Sequence, residues 1–257
     1  LLTTLLAGLF LGHERIQQQR VVETEIQGRL SLQARTIELT LANVLSDVRY
    51  LARSNELAHY IEAPDAAHRA ILSRALIRFS EARQIYDQVR YLDLHGQEQV
   101  RINRIDGRAV SVEGADLQNK AGRYYFRDAL ALEHDQIFIS PLDLNVEHGR
   151  IEAPLKPMLR FGTPLFDRAG RKRGILLFNY LAQFMLDQFY ACAKQSPGEG
   201  YLLNAQGYWL ASPDPEQNWG FMYPERQQLT FQQRFPQAWQ RISKQPKGQF
   251  RTPEGLF

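Results

Sequence analysis

Apolar and polar positions change period along this chain, and the change divides it. From about residue 14 to residue 61 there is no proline and only Gly28, while Ile26, Leu30, Ala34, Ile37, Leu41, Val44, Val48 and Leu51 recur at spacings of three and four. That stripe predicts one long helix. At 1.5 Å per residue it would extend about 70 Å, longer than a typical globular domain is wide. Pro64 and Asp65 end it and start a second helix with the stripe Ile71, Leu72, Ala75, Leu76 and Phe79. Core packing accounts for the second stripe and for the distal part of the first. The N-terminal part of the long helix is expected to self-associate.

After residue 86 the period becomes strand-like, and one short pattern occurs three times: an apolar pair, Asp or Asn, two residues, Gly. The copies are Tyr91-Leu92-Asp93 to Gly96, Leu165-Phe166-Asp167 to Gly170, and Leu202-Leu203-Asn204 to Gly207. Each predicts a hairpin, because the Asp or Asn side chain hydrogen-bonds the turn backbone and Gly supplies a positive φ. A turn centred on His95 and Gly96 pairs Tyr91 with Val100 and Val89 with Ile102, four apolar residues on one face. If Asp167 pairs with Lys172, the second hairpin sets Arg160 opposite Asn179 on one side of the sheet.

Between these hairpins, the polar stretch from Val112 to Glu133 predicts a helix and Gln136 to Ser140 a strand. Five strands with inserted helices make a mixed α+β domain. A helix over Leu181 to Lys194 and a Ser196-Pro197-Gly198 linker then lead to the third copy, which restarts the unit near residue 199. A fourth hairpin is expected beyond the strand-like run GQFRTPEGLF, so residues 195–257 are expected to be an incomplete second domain of a longer protein.

Residues 1–12, LLTTLLAGLFLG, carry no charge and give way abruptly to His13, Glu14 and Arg15. Twelve residues are fewer than the roughly 20 that cross a bilayer. The run is expected to be the end of a transmembrane helix, with a signal-peptide core or a buried helix as alternatives.

Composition narrows the function. The 257 residues suit one large domain or two small ones, and 31 basic against 28 acidic residues leave too weak a field to make nucleic acid the default partner. One cysteine, Cys192, excludes an internal disulfide framework and reads as a small core residue of a helix. His13, His59, His68, His95, His134 and His148 have no zinc-type spacing, so no metal or other cofactor is implied. Asp143, Asn145 and Glu147 alternate as in a calcium loop, but Gly149 falls one place late and the distant acid is missing. No nucleophile elbow or phosphate-binding glycine loop occurs, and Asp128 with Glu133 or Asp135 reads as scattered surface acids rather than a catalytic pair.

The order of long helix, hairpin, helix, hairpin and restart resembles the double Cache (tandem PAS-like, PDC) sensor regions of bacterial transmembrane histidine kinases and diguanylate cyclases. The resemblance runs over roughly residues 14–257. It is carried by Gly122-Arg-Tyr-Tyr-Phe-Arg-Asp-Ala129, similar to the Arg-x-Trp-Tyr-x-x-Ala segment of Cache pockets, with Tyr125 in place of the second aromatic position's usual Trp. It is carried also by Ile139-Ser-Pro-Leu-Asp-Leu-Asn145, Pro164-Leu-Phe-Asp-x-x-Gly170 and Gly174-Ile-Leu-Leu-Phe-Asn179. The family often has an acid where Asn179 stands.

The resemblance implies a long signalling helix over 13–62, a membrane-distal PAS-like domain over 63–194 and a membrane-proximal one over 195–257, each with a central antiparallel sheet. It also implies placement in the periplasm, anchored in the bacterial inner membrane through the N-terminal helix, with output to a cytoplasmic kinase or cyclase. Arg123 and Tyr125 fall on the pocket wall by this resemblance, and Ser140 and Asp143 border it. Arg160 and Asn179 join them through the hairpin register. An arginine fork suits a carboxylate, so a small anionic or zwitterionic ligand is expected. Asn179 offers less to an ammonium than the usual acid does, which leaves an amino acid unassigned. A homodimer through the long helix is expected. The alternative is a ligand-free module for dimerisation or for a periplasmic partner.

Overall fold

The computed structural model describes every residue except Leu1, His148, Pro197 and Pro246, and describes side chains from residue 13 onward apart from Arg15, Ile16 and Gln19. In chain order the elements are α1 (Leu2–Ala52), α2 (Asn55–Glu62), α3 (Ala66–Arg83), β1 (Tyr86–Leu92), β2 (Glu98–Ile105) and β3 (Arg108–Val112). Next come α4 (Tyr124–Leu130), β4 (Phe138–Ile139), β5 (Asp143–Leu144), β6 (Val146–Glu147), β7 (Arg150–Ile151), β8 (Pro157–Phe166) and β9 (Lys172–Leu181). The rest are α5 (Gln183–Ala193), β10 (Leu202–Leu203), β11 (Trp209–Ala211), α6 (Phe231–Arg234), α7 (Pro236–Ile242), β12 (Arg251–Thr252) and β13 (Gly255–Leu256). They fall into two compact units, residues 41–184 and residues 1–40 with 185–257.

The first unit is built on a seven-stranded antiparallel sheet in the order β3-β2-β1-β9-β8-β4, with β5 also paired to β8. One face carries Val89, Tyr91, Val100, Ile102, Phe178 and Tyr180, all buried, and the helices supply buried Val44, Val48, Leu51, Leu72 and Leu76. Phe79 stacks on Tyr86, which meets Phe178 edge-on at 5.0 Å. The other face takes α4, through Tyr125, Phe126 and Ala129 against Leu92, Ile175 and Leu177. Gly162 permits that approach, since a Cβ there would stand 2.7 Å from the Ala129 Cβ.

The expected pairs Val89–Ile102, Tyr91–Val100 and Arg160–Asn179 all form. The turn pair assumed for the second hairpin does not. Lys172 faces Phe166 rather than Asp167, and an irregularity between Leu165 and Phe166 restores the register before Arg160 is reached. The stretch from Val112 to Glu133 is helical only at Gly114–Asp116 and in α4. An additional strand, β3, turns back on β2 through Asp106 and Gly107, both at positive φ. Asp-Gly is a strong hairpin signal that the reading of five strands passed over.

The expected helix over 13–62 is interrupted. α1 stops at Ala52, Ser54 adopts extended geometry and its side chain accepts from the Leu57 N–H, starting α2. Leu57, Tyr60 and Ile61 continue the buried stripe past this break, so the apolar spacing concealed it.

In the second unit Trp209, Phe231 and Ala238 form the core, flanked by Tyr201, Leu203, Phe235, Trp239, Ile242, Phe250 and Phe257. Its strands are two short hairpins, β10–β11 and β12–β13. The linker assigned to Ser196-Pro197-Gly198 has Pro197 outside the described residues, as is His148 among the histidines. The backbone of residues 2–12 belongs to α1, and the side chains on which the expected transmembrane end rests lie outside the described ones. Among the described residues no helix is long and apolar enough to cross a membrane.

Candidate functional site

A bulge in β1 decides which residues face α4. Tyr86 pairs with Tyr180 and Gln88 with Asn179, so two residues of β1 span only one step of β9. Neighbours on a strand point to opposite faces. Tyr86 therefore turns toward the helices of the core, while Gln88 and Arg90 join Asn179 on the α4 side.

Around the ring of Tyr125, itself 3% exposed, three guanidinium groups converge. The Arg160, Arg123 and Arg90 guanidinium carbons stand 5.2, 5.8 and 5.9 Å from its centroid. Burial alone would push the Tyr125 phenol up, but the charges of Arg90, Lys120 and Arg160 outweigh it and hold the group below its ordinary value. Lys120 is lowered as well, first by burial.

Each buried cation is held differently. Arg160, on β8, donates to Asp143 Oδ1 at 2.6 Å and to Asn145 Oδ1 at 3.3 Å. Its backbone N–H donates to Ser140 Oγ at 2.9 Å, and its carbonyl accepts from the Ser140 N–H. Arg90, on β1, donates to Glu98 Oε1 at 3.1 Å and to Asn179 Oδ1 at 2.8 Å, while its Nε–H is buried without an acceptor among the described residues. Glu98 also takes Arg101 Nη1 at 3.4 Å and the Gln118 N–H at 3.0 Å. Its carboxyl, which burial raises, is held below its usual value chiefly by Arg90. Arg123, at the N-cap of α4, donates to the Val146 carbonyl at 3.5 Å and to the Tyr125 side chain, and has no ion pair among the described residues.

All six residues singled out from the sequence thus gather here. Tyr125, Arg160, Asn179 and Ser140 are buried, and Arg123 and Asp143 are half-buried. Asp143 and Ser140 serve Arg160, and Tyr124 donates to Asp143 Oδ2 at 3.2 Å. Asn145 accepts from Arg160 and donates to Glu152 Oε2 at 2.9 Å. Among the described residues no three His, Cys, Asp or Glu side chains are grouped to hold a metal.

Arg90, Glu98, Gln88 and Lys120 were not foreseen. The alternation of Gln88, Val89, Arg90 and Tyr91 was the available signal, since Val89 and Tyr91 on the core face put the two polar residues on the other. The larger open clefts lie elsewhere. One of about 650 Å3 runs between α3 and β2–β3, past Arg69, Ser73, Ile77, Gln99 and Leu117. Another, of about 680 Å3 in the second unit, is floored by Trp209 and rimmed by Arg226 and Arg234.

This architecture, a long N-terminal helix followed by a mixed α+β domain on an antiparallel sheet, is shared with bacterial sensory domains. The family model of the bacterial histidine kinase sensor domain matches residues 20–257, and the chain belongs to that family. Among solved structures, the chain is similar to a domain of a protein from Vibrio parahaemolyticus described as of the sensory box/GGDEF family. Identity is 26% and the TM-score 0.78, over 90% of this chain and 86% of that one. It is similar also to the extracellular domain of a protein described as a histidine kinase, vpHK1S-Z8, with 25% identity and a TM-score of 0.77 over 90% and 82% of the two chains. The ligand-binding domain of the Campylobacter jejuni chemoreceptor Tlp3, in complex with L-valine, shares the fold at 14% identity and a TM-score of 0.55, over 73% and 69%. No relative is found among curated proteins.

Proposed function

We propose that this sensor domain is the extracytoplasmic, small-molecule-sensing region of a bacterial transmembrane receptor, and that its ligand binds between α4 and the sheet at Arg123, Tyr125, Arg160 and Asn179. The observation that carries this reading is the convergence of three guanidinium groups on one buried tyrosine ring. Burying like charges together is costly, and an anion accepted among them offsets the cost. Family membership supports a sensory role, and the ligand complexes of Tlp3 support small-molecule binding.

Tyr125, Arg160 and Asn179 are buried, so in this reading a ligand reaches them as α4 lifts from Leu92, Ile175 and Leu177. A ligand that binds the lifted arrangement better than the closed one shifts the balance between them, and its differential affinity sets the size of the signal. The shift passes along β1 to α1, which carries it to the inner membrane and a cytoplasmic kinase or cyclase. Self-association of α1 makes the receptor a homodimer. In this reading residues 63–194 sense and residues 195–257 begin a membrane-proximal domain.

A thermal-shift screen of carboxylates, amino acids and amines tests it. A member of the panel is expected to raise the Tm, and Arg123→Ala to abolish that rise. A panel without effect, together with an Arg123→Ala receptor of unchanged output, would favour a ligand-free partner module instead.

A further inference from the structure

We infer that the ligand is a small dianion bearing two carboxylates and no ammonium group, and that Arg90 reads its second carboxylate. The inference rests on the binding site proposed above and names the chemistry that site accepts.

The charge around Tyr125 is unbalanced. Arg90 on β1, Arg101 on β2, Lys120 in the following loop, Arg123 at the N-cap of α4 and Arg160 on β8 face Glu98 on β2, Asp143 on β5 and Glu147 on β6. Five cations meet three carboxylates there. An outer pair of acids, Asp87 and Glu152, is bridged by Lys156 at 3.5 and 2.6 Å. Glu98 is occupied by Arg90 and Arg101, and Asp143 by Arg160. Glu147 acts on Lys120. Arg123 and Lys120 form no ion pair among the described residues; Lys120 donates to Gln118 Oε1 at 2.6 Å.

One carboxylate of a ligand satisfies Arg123 as a fork. The second observation concerns Arg90. Its guanidinium is 2% exposed, two of its nitrogens are engaged, and its Nε–H has no acceptor among the described residues. A buried charged donor left unpaired is the kind of group a ligand completes. Asn179 explains the absence of an ammonium subsite. Its Oδ1 is taken by Arg90, so the amide turns its Nδ2 toward Gln88, at 3.4 Å. A cationic group brought here meets donors and cations, and loses its hydration without an acid to replace it.

The test uses the whole sensory chain and three matched sets of probes: the linear dicarboxylates from malonate to adipate, the monocarboxylates of the same lengths, and aspartate and glutamate. Binding is followed by calorimetry and by the Arg Nε–H resonances in NMR. At least one dicarboxylate is expected to bind about tenfold or more tightly than its monocarboxylate and amino-acid counterparts, and to move the Arg90 Nε–H resonance on binding. Arg90→Gln should remove that preference. Asn179→Asp, which sets a carboxylate against Arg90 and keeps the side-chain shape, should weaken the dicarboxylate about tenfold and favour the amino acid.

Tighter binding of an amino acid by the native chain, or an unchanged dicarboxylate affinity in folded Arg90→Gln and Asn179→Asp variants, overturns the inference. If an amino acid or amine binds in an Arg123-dependent way and no dicarboxylate does, the site stands and this ligand class falls. If nothing in either panel binds, both fall.

Discussion

Tyr86 donates its hydroxyl hydrogen to Asp47 Oδ2 at 2.7 Å, and so ties the first residue of β1 to the long helix α1. Asp47 is 2% exposed and takes Arg83, at the end of α3, on its other oxygen. Burial and the neighbouring carboxylate push the Tyr86 hydroxyl far up, so it stays a donor at any pH the protein survives. The strand that carries Gln88 and Arg90 into the site is therefore fastened at its start to the element proposed to carry the signal.

Removing that fastening should be measurable. Tyr86→Phe leaves Asp47 with Arg83 alone and is expected to cost about 2 kcal/mol, the worth of a hydrogen bond to a buried charge. Asp47→Ala strands the Tyr86 hydroxyl and the half-exposed Arg83 together and should cost as much or more. Urea unfolding of both variants and of the double mutant checks this: the double mutant should lose less than the two single losses added. Strict additivity would show that the two groups are not coupled.

The seating of α4 makes a second prediction. Gly162→Ala places a methyl 2.7 Å from the Ala129 Cβ. The backbone at Gly162 is not left-handed, so the cost is overpacking rather than dihedral strain, about 1 to 3 kcal/mol. Ala129→Gly in the same chain removes the opposing methyl and should recover part of the loss, less the helix-propensity cost of glycine in α4. Thermal unfolding of the single and double variants decides it. An equal loss in the two would place the clash elsewhere.

Glu98 predicts an acid dependence. Burial alone would raise its carboxyl, but Arg90, the Gln118 N–H and Arg101 hold it below the ordinary value of 4.5. A carboxylate depressed in the fold adds stability that is full above the unfolded value and is lost as pH falls through the folded one. Asp87, raised chiefly by burial, slopes the opposite way, so the informative quantity is the difference between two proteins. Glu98→Gln should melt lower than the native chain near pH 7, and the gap should narrow toward about pH 3. A gap that stays constant across that range would remove Glu98 from the acid limb.

What the sequence disclosed follows from what is local. The hairpin pair Val89–Ile102 depends on a turn and a count of residues and was readable, whereas Arg160–Asn179 was reached from a turn pair that does not form, its register being restored by the irregularity between Leu165 and Phe166. Arg123 and Tyr125 were readable through a motif. The pairing of β1 with β9 joins residues about ninety positions apart, and nothing in the strands' alternation specifies it. Arg90 therefore escaped notice, although its partner Asn179 did not. The bulge at Asp87 was equally hidden: every position from Tyr86 to Leu92 is buried, and the alternation of Gln88, Val89, Arg90 and Tyr91 starts only after it. The interruption at Ser54 lay within reach, since Ser followed by Asn-Glu-Leu is a helix start, but an unbroken apolar stripe outvoted it.

The three turns offer a last prediction, because they are built alike. Asp93 Oδ1 accepts from the N–H groups of His95 and Gln97, Asp167 Oδ1 from Ala169 and Arg171, and Asn204 Oδ1 from Gln206 and Tyr208. Gly96, Gly170 and Gly207 close them at φ values of 76°, 73° and 83°. The bonds need an oxygen in the right place rather than a charge. Asn204→Asp should therefore shift stability by no more than about 0.5 kcal/mol, and Asp93→Ala or Asn204→Ala should cost about 1 kcal/mol. Asp93→Asn turns an amide nitrogen toward Gln99 Nε2, which donates to Asp93 Oδ2 at 2.8 Å, and should cost more than Asn204→Asp. Asp167 differs in the charge of its further donor: its Oδ2 accepts from Arg171 Nε at 2.8 Å, where Asp93 Oδ2 accepts from the neutral Gln99 amide at 2.8 Å, and the Arg171 bonds hold the Asp167 carboxyl below the usual range. Asp167→Asn should keep both backbone bonds and lose only the salt-sensitive part, so adding salt should bring the native chain and this variant closer in Tm. A variant as damaging as Asp167→Ala would mean that charge, not oxygen placement, holds that turn.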